Sequence, residues 1–364
     1  MRTLIVNAGS SSLKLSVLER DRTLATEELP APGGRIDESA VRAVIERFRP
    51  IDAVGHRIVH GGTEFRGPVK VDAGVRRRLG ALSDLAPLHQ PKSLRALDLV
   101  SRLLDGVPAV ACFDTAFHAR MPEAASTYAL PHEWRRRWGL RRFGFHGLSH
   151  AYASRRGAEL LGRDVTAVRI VTCHLGAGAS LAAVRHGISV DTTMGFTPLE
   201  GLVMATRSGS VDPGLVLWLE QHAGMPPSEL ASTLENRSGL LGLTGSADLK
   251  VILEAERRGD LDAERAVAVY LHRLRGGIAA MAAAMEGLDA VVFTGGVGER
   301  SREVRSRAAE GLGFLGVAID SARNEAGPPD REISPPGAPV RSFVVAARED
   351  LEIARGVREA LGAS

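Results

Sequence analysis

Two stretches far apart in this chain read the same way. Residues 3–19 are apolar at Leu4, Ile5 and Val6, enter the small polar turn Asn7-Ala8-Gly9-Ser10-Ser11-Ser12, and resume alternation at Leu13, Leu15 and Val17. Residues 167–193, with VRIVTCHLGAGASLAAVRHGISVDTT at their heart, repeat the scheme: apolar strand, small-residue turn, second strand. The recurrence predicts a duplicated module. A chain that spends two long segments on such openings and alternates strand with helix elsewhere belongs to the layered α/β class.

Between these openings the pattern predicts helices over 39–49, 150–161, 263–285 and 350–361. A further helix carries Leu94, Leu97, Val100 and Leu104 on one face and ends by Gly106. Strands are expected over 51–59, 107–113, 290–294 and 342–346. The arginine-rich stretch 135–142 reads as solvated, and the Pro- and Gly-rich stretch 324–339 as a surface loop.

Composition narrows the partners. At 364 residues and 44% hydrophobic, there is ample material for two domains with cores. The 46 basic residues nearly balance the 43 acidic ones, which argues against a general polyanion or nucleic-acid binder. No run approaches the ~20 apolar residues of a membrane span, and the first residues lack the apolar stretch of a secretory signal. Cys112 and Cys173, two cysteines in apolar runs, make no disulfide framework and read as buried thiols of a cytoplasmic protein. Only four basic residues are lysines: Lys14, Lys70, Lys92 and Lys250.

Three Gly-rich turns follow apolar strands. The first, Asn7 to Ser12 with Lys14 beyond, offers backbone N–H groups, hydroxyls and a charge to a phosphate; an ordinary hairpin explains it equally well. The second is His174-Leu175-Gly176-Ala177-Gly178, and the third is Gly295-Gly296-Val297-Gly298-Glu299 at a helix start. Together they favour a nucleotide over three structural turns. Phosphoryl transfer needs positive charge at the moving phosphate, and Arg57, His146 and Arg207 can supply it; Arg57 and Arg207 stand among Gly and apolar residues, unlike a surface cation, while His146, between Phe145 and Gly147, reads equally as a hydrogen-bonded core histidine. Asp114 ends an apolar strand, and Glu349 opens the last helix; a cap or a helix-end charge is the plain alternative for each.

In order, NAGSSSLK, GHRIVHGG, FDTAFH, RRFGFHGLSH, CHLGAGAS, DTTMGFTPLEGL and TRSGSVDPG resemble the acetate kinase family over nearly the whole chain. The resemblance implies the actin-like and sugar-kinase ATPase fold: two similar lobes, each a ribonuclease H-like module, around a central cleft. It implies an N-terminal lobe of 1–117 plus 350–364 and a C-terminal lobe of 118–349. It implies reversible in-line transfer of the ATP γ-phosphate to acetate, giving acetyl phosphate and ADP. A propionate-preferring or pyrophosphate-using relative is the alternative.

The resemblance also implies roles. His146, Arg207 and Asp114 are catalytic. Arg57, Val59, Leu88, Phe145 and Pro198 surround the acyl substrate. Ser10, Ser12, Lys14, His174, Leu175, Gly176, Ala177 and Gly178 hold phosphate. Asp248, Leu249, Lys250, Gly296, Val297, Gly298, Glu299 and Arg300 surround the nucleoside. Asn7 and Glu349 attend a magnesium ion, with manganese as a substitute. A cytoplasmic homodimer without nucleic acid or membrane partner is implied as well. The chain departs from the family pattern at Ala177, Lys250 and Arg300, where relatives carry Asn, Arg and Asn, so the donor side is expected to be the less conventional one.

Overall fold

A computed structural model describes every residue except Ser10, Ser11, Leu88, Ala326 and Ser364. Two of the expected site residues, Ser10 and Leu88, therefore lie outside the described residues. The described strands are β1 (Arg2–Ala8), β2 (Ser12–Glu19), β3 (Arg22–Pro30), β4 (Ala53–Ile58), β5 (Val69–Lys70), β6 (Ala109–Phe113), β7 (Arg169–Leu175), β8 (Ala179–Arg185), β9 (Ile188–Thr192), β10 (Ala290–Thr294), β11 (Arg331–Glu332) and β12 (Arg341–Val344).

They form two six-stranded sheets. The first has the order β3-β2-β1-β4-β6-β5, and the second, read from its matching edge, β9-β8-β7-β10-β12-β11. The sense of every pairing matches too. β1–β2, β2–β3 and β5–β6 are antiparallel while β1–β4 and β4–β6 are parallel. β7–β8, β8–β9 and β11–β12 are antiparallel while β7–β10 and β10–β12 are parallel. The duplication read from the two strand-turn-strand openings is present strand for strand.

The chain divides into two compact units. One comprises Met1–Ala119, Phe145–Tyr152 and Arg348–Ser364; the other comprises Arg120–Gly144 and Ala153–Ala347. In the first, alternation along the strands sends side chains to opposite faces. Leu4, Val6 and Val54 pack with Val41, Val44 and Ile45 of the helix Glu38–Phe48 and with Ala96, Leu99 and Val100 of the helix Gln90–Leu103. Ile5, Ala53, Val110 and Cys112 take the other face, against Ile353, Ala354 and Val357 of the helix Glu349–Leu361. Gly55 permits that approach: a Cβ there would stand 2.5 Å from Ile353 Cγ2 and 2.8 Å from Val357 Cγ2. The helix Glu349–Leu361 thus lies directly on β4, and its first residue, Glu349, arrives beside Arg57 near the C-terminal end of that strand.

The second unit is centred on the helix Leu261–Ala284, against β7, β8 and β9. Its expected core stripe, Val267, Leu271, Leu274, Ile278 and Met281, is buried. Each such side chain contributes roughly 1.5–3 kcal/mol. Met285, the last residue of the expected stripe, caps the helix and is also buried. Cys112 and Cys173 are free and buried. No helix among the described residues is long and apolar enough to cross a membrane.

Three local expectations are corrected. The stretch 135–142 is not uniformly solvated: the helix His132–Trp138 is largely exposed, but Arg142 turns inward to an ion pair with Glu200. The stretch 324–339 is not merely surface loop. Asn324 is buried against Arg305, and β11 pairs with β12, which buries Ile333 and Ser334. The helix expected from 150 starts at Gly147, immediately after His146, whose φ of 56° sets the chain's turn into it. All three depend on partners distant in sequence, which local periodicity does not contain.

Candidate active site

In the first unit the C-terminal ends of β1, β4 and β6 lie side by side, and four expected residues meet there. Arg57, near the end of β4, donates from Nε to Asp114 Oδ1 at 2.9 Å and from Nη2 to Asp114 Oδ2 at 2.6 Å. Its Nη1 donates to Asn7 Oδ1 at 3.1 Å, and Asn7 Nδ2 donates to Glu349 Oε2 at 3.1 Å. Glu349 Oε2 also stands 3.8 Å from Arg57 Nε. Asp114 is buried, at 1% exposure, while Arg57 and Glu349 keep an edge toward solvent. Burial works to lower the Arg57 pKa, but the Asp114 and Glu349 charges outweigh it and raise the value above the ordinary one. Arg57 stays a cation, and the fork-to-fork pair with Asp114 fixes its plane.

His146 and Phe145 belong to the same unit. The Gly147 N–H donates to Asp114 O at 2.8 Å and the His150 N–H to His146 O at 2.9 Å. Buried His118 lies with Nε2 3.1 Å from Phe145 O, so that nitrogen carries the proton and donates. These bonds hold His146 in the left-handed region, a conformation that costs of order 1–3 kcal/mol for a residue other than glycine. Phe145 and Val59 are both buried. Gln90 frames the chain after Val59: its Oε1 accepts from the His60 N–H at 3.1 Å and its Nε2 donates to His60 O at 3.0 Å. Lys14 is exposed and opposes Asn7 across β1 and β2, and Ser12 O accepts from the Gly9 N–H at 2.8 Å.

The second unit carries a cavity of about 980 Å³. Gly176, Ala177, Asp248, Leu249, Lys250, Gly296, Val297 and Arg300 line it, so the turn after β7, the turn after β10 and the start of the helix Leu249–Arg257 converge. The other expected residues of these turns lie behind or beside it. His174 is half-buried on β7 opposite Thr294 of β10, Leu175 and Gly298 are buried, and Glu299 Oε1 accepts from the Ala347 N–H at 3.0 Å. Gly178 O accepts from the Gly176 N–H at 2.9 Å, closing the turn. Asp248 caps its helix by accepting from the Lys250 N–H at 2.9 Å.

Arg207 and Pro198 are in the second unit. Arg207 Nη1 donates to Pro198 O at 3.4 Å, and burial lowers the Arg207 pKa against the opposing pull of Glu235. Sequence reasoning passed over cavity-lining Arg257, Tyr270, Ser301 and Glu303. Tyr270 sits on the core stripe of its helix, where an aromatic reads as packing; Arg257 ends a helix, where a cation reads as dipole compensation.

A duplicated six-stranded module, Gly-rich turns converging on a cavity, and an arginine–carboxylate centre at strand ends mark an α/β phosphotransferase built on two copies of one module. The chain belongs to the acetokinase family, whose profile matches residues 34–355. It is 41% identical to the acetate kinase of Trichormus variabilis over 98% of both chains. It is 43% identical to that of a Synechococcus species over 99% of both. Among solved structures, acetate kinase from Porphyromonas gingivalis superposes with a TM-score of 0.90 at 36% identity, over 99% of both chains. A propionate kinase from Francisella tularensis gives 0.91 at 31% identity, over 98% of this chain and 99% of its own.

Proposed function

We propose that this enzyme transfers the γ-phosphate of ATP to the carboxylate of acetate, reversibly, giving acetyl phosphate and ADP. The observation that carries the reading is Arg57. Three of its five N–H groups are committed to Asp114 and Asn7, leaving one on each terminal nitrogen. Two parallel N–H groups on a fixed guanidinium match a carboxylate. Val59 and Phe145 supply the apolar wall for a short acyl chain. Where one methylene is worth only ~1–3 kcal/mol, propionate competes.

The donor belongs in the cavity of the second unit, its phosphates on Gly176–Gly178 and its nucleoside toward Asp248–Lys250 and Gly296–Arg300. His146 and Arg207 are the groups we assign to the charge on the transferred phosphoryl. Asn7 and Glu349 would attend a divalent cation such as magnesium. Among the described residues no cluster of three or more His, Cys, Asp or Glu side chains forms a dedicated cage. One carboxylate and one amide suit an ion that keeps its waters and its phosphate ligands. The guanidinium and two carboxylates of this centre sum to −1, so a divalent ion would also make a third carboxylate, that of the substrate, welcome there. When bound, it neutralises phosphate charge.

A second donor reading has support of its own. Arg300 bends over Gly296, donating from Nε to Gly296 O at 3.1 Å, and Lys250 forms no ion pair among the described residues. These uncompensated cations suit a compact polyanion, so pyrophosphate belongs in the same assay. We further propose a homodimer in the cytoplasm. The helix Pro213–Ala223 buries no side chain, and Leu215, Leu217 and Trp218 are about half exposed on it. Hydroxylamine trapping of acetyl phosphate, with acetate or propionate against ATP, GTP or pyrophosphate, tests the reading. Acyl hydroxamate formation is expected with ATP and acetate. ATP hydrolysis that ignores acetate and yields no hydroxamate would overturn it.

A further inference from the structure

Residues 194–201 carry Pro198, and Arg207 bonds back to the Pro198 carbonyl. This segment has little regular structure of its own. What holds it is a network built from three side chains, none of which has been given a role above.

Tyr128 donates its hydroxyl proton to Glu200 Oε2 at 2.5 Å, and the Tyr128 hydroxyl oxygen accepts from the Phe196 N–H at 2.9 Å. Arg142 donates from Nη2 to Glu200 Oε1 at 2.6 Å. Its Nη1 faces three successive carbonyls, Thr192 at 3.3 Å, Thr193 at 3.1 Å and Met194 at 3.1 Å. The guanidinium lies 5.5 Å from the Tyr128 ring centre, completing a closed set of three. The chain after Arg142 adds two more ties, from the Phe143 and Gly144 N–H groups to Gly195 O at 3.0 and 3.2 Å.

The set admits no slack at Gly195. A Cβ there would lie 1.7 Å from Glu200 Oε2 and 2.3 Å from the Tyr128 hydroxyl. Both carboxylate oxygens of Glu200 are engaged, so it is not placed to act as a base. Burial and the neighbouring carboxylate raise the Tyr128 pKa, which keeps the hydroxyl a donor. A charge-assisted network of this closure orders backbone that has no sheet or helix to order it.

We propose that Tyr128, Arg142 and Glu200 are positioning residues that fix residues 194–201. Through Pro198 they set discrimination between short acyl chains, and through its carbonyl the aim of the Arg207 guanidinium. The inference rests on the assignment of Pro198 to the acyl pocket and Arg207 to the transferred phosphoryl.

The test compares wild type with Glu200→Gln, Tyr128→Phe and Arg142→Lys, using kcat and KM for acetate and for propionate at saturating ATP. Thermal melts give the folded fraction. Glu200→Gln and Arg142→Lys are expected to lower kcat about tenfold or more per folded enzyme, because a displaced positioning group costs up to ~100-fold. The acetate-to-propionate ratio of kcat/KM is expected to move about fivefold, while the KM for ATP stays within about twofold. Tyr128→Phe removes one oxygen atom and carries the test if the charged variants fail to fold; its ratio is expected to move in the same direction. A purely structural role lowers the active fraction and leaves the ratio unmoved. An unmoved ratio in folded Tyr128→Phe and Glu200→Gln, with or without a uniform loss of kcat, overturns the positioning role. A wild-type enzyme that forms no acyl phosphate overturns the functional assignment instead, and the two failures are told apart by the wild type alone.

Discussion

Acidification from pH 7 to pH 5 is expected to weaken this fold through three histidines of the first unit. His56, His60 and His118 are almost completely buried. Burial pulls their pKa values from the ordinary 6.5 to about 3, about 4 and about 4, with Asp98 opposing it at His56 and the bond to Phe145 O opposing it at His118. His60 accepts the Gly62 N–H on Nδ1 at 2.8 Å, which also requires the neutral ring. Each is uncharged when folded and takes up a proton on unfolding once the pH drops below about 6.5. The unfolded state then binds more protons, so stability is full above 6.5 and is lost as the pH falls toward the folded values. Integrated from pH 7 to pH 5, each site costs about 2 kcal/mol, and the three together about 6. That is a large share of the ~5–15 kcal/mol of a typical domain. Asp191 and Glu235, whose carboxyl pKa values burial raises, act in the opposite sense. A variant therefore isolates one histidine. Neither ring nitrogen of His56 has a hydrogen-bond partner, so His56→Leu loses none. Urea unfolding at several pH values is the assay: at pH 5 the variant should exceed wild type by about 2 kcal/mol more than at pH 7. Parallel stability curves for the two proteins would refute the reasoning.

Four further outcomes are expected. Asp114→Asn loosens the buried Arg57 pair; thermal unfolding should show a loss of about 3 kcal/mol, and the KM for acetate should rise about tenfold. An unchanged acetate KM would remove Asp114 from the site. Arg300→Asn takes an unpaired cation from the cavity wall, so the KM for ATP at low salt should rise about 3–10-fold and its salt dependence should flatten. Gly55→Val forces the terminal helix off β4, for a loss of about 1–3 kcal/mol in chemical denaturation. Trp218→Asp should convert the proposed dimer to a monomer, read as half the mass in light scattering behind size exclusion.

Much of the architecture was legible because it is local. The two openings announce themselves through two-residue alternation interrupted by Gly and Ser, and the long helices through their buried stripes. Asn7, Arg57, Asp114 and Glu349 were each readable as chemistry at a strand or helix end. That they meet follows from sheet order, which places β1, β4 and β6 side by side. What escaped the sequence is tertiary in origin. Arg142 looks like one more arginine in a basic run until Glu200, fifty-eight positions on, is seen to claim it. Ile333 is a lone apolar residue among Pro and Gly until β12 covers it. Tyr270 lies on an apolar stripe whose exposure to a cavity only the neighbouring turns decide.

The first unit is assembled from three stretches of chain, the last beginning at Arg348. A ribosome adding ~5–20 residues per second needs roughly 10–50 s to travel from Ala119 to that point. For that interval the nascent sheet has its strands but not the helix that lies on Gly55, and Arg57 has no Glu349. The apolar face of β4 is then open to chaperones or to misassociation. Because Glu349 follows Ala119 by more than two hundred residues, a product terminated before it lacks part of the proposed acyl centre.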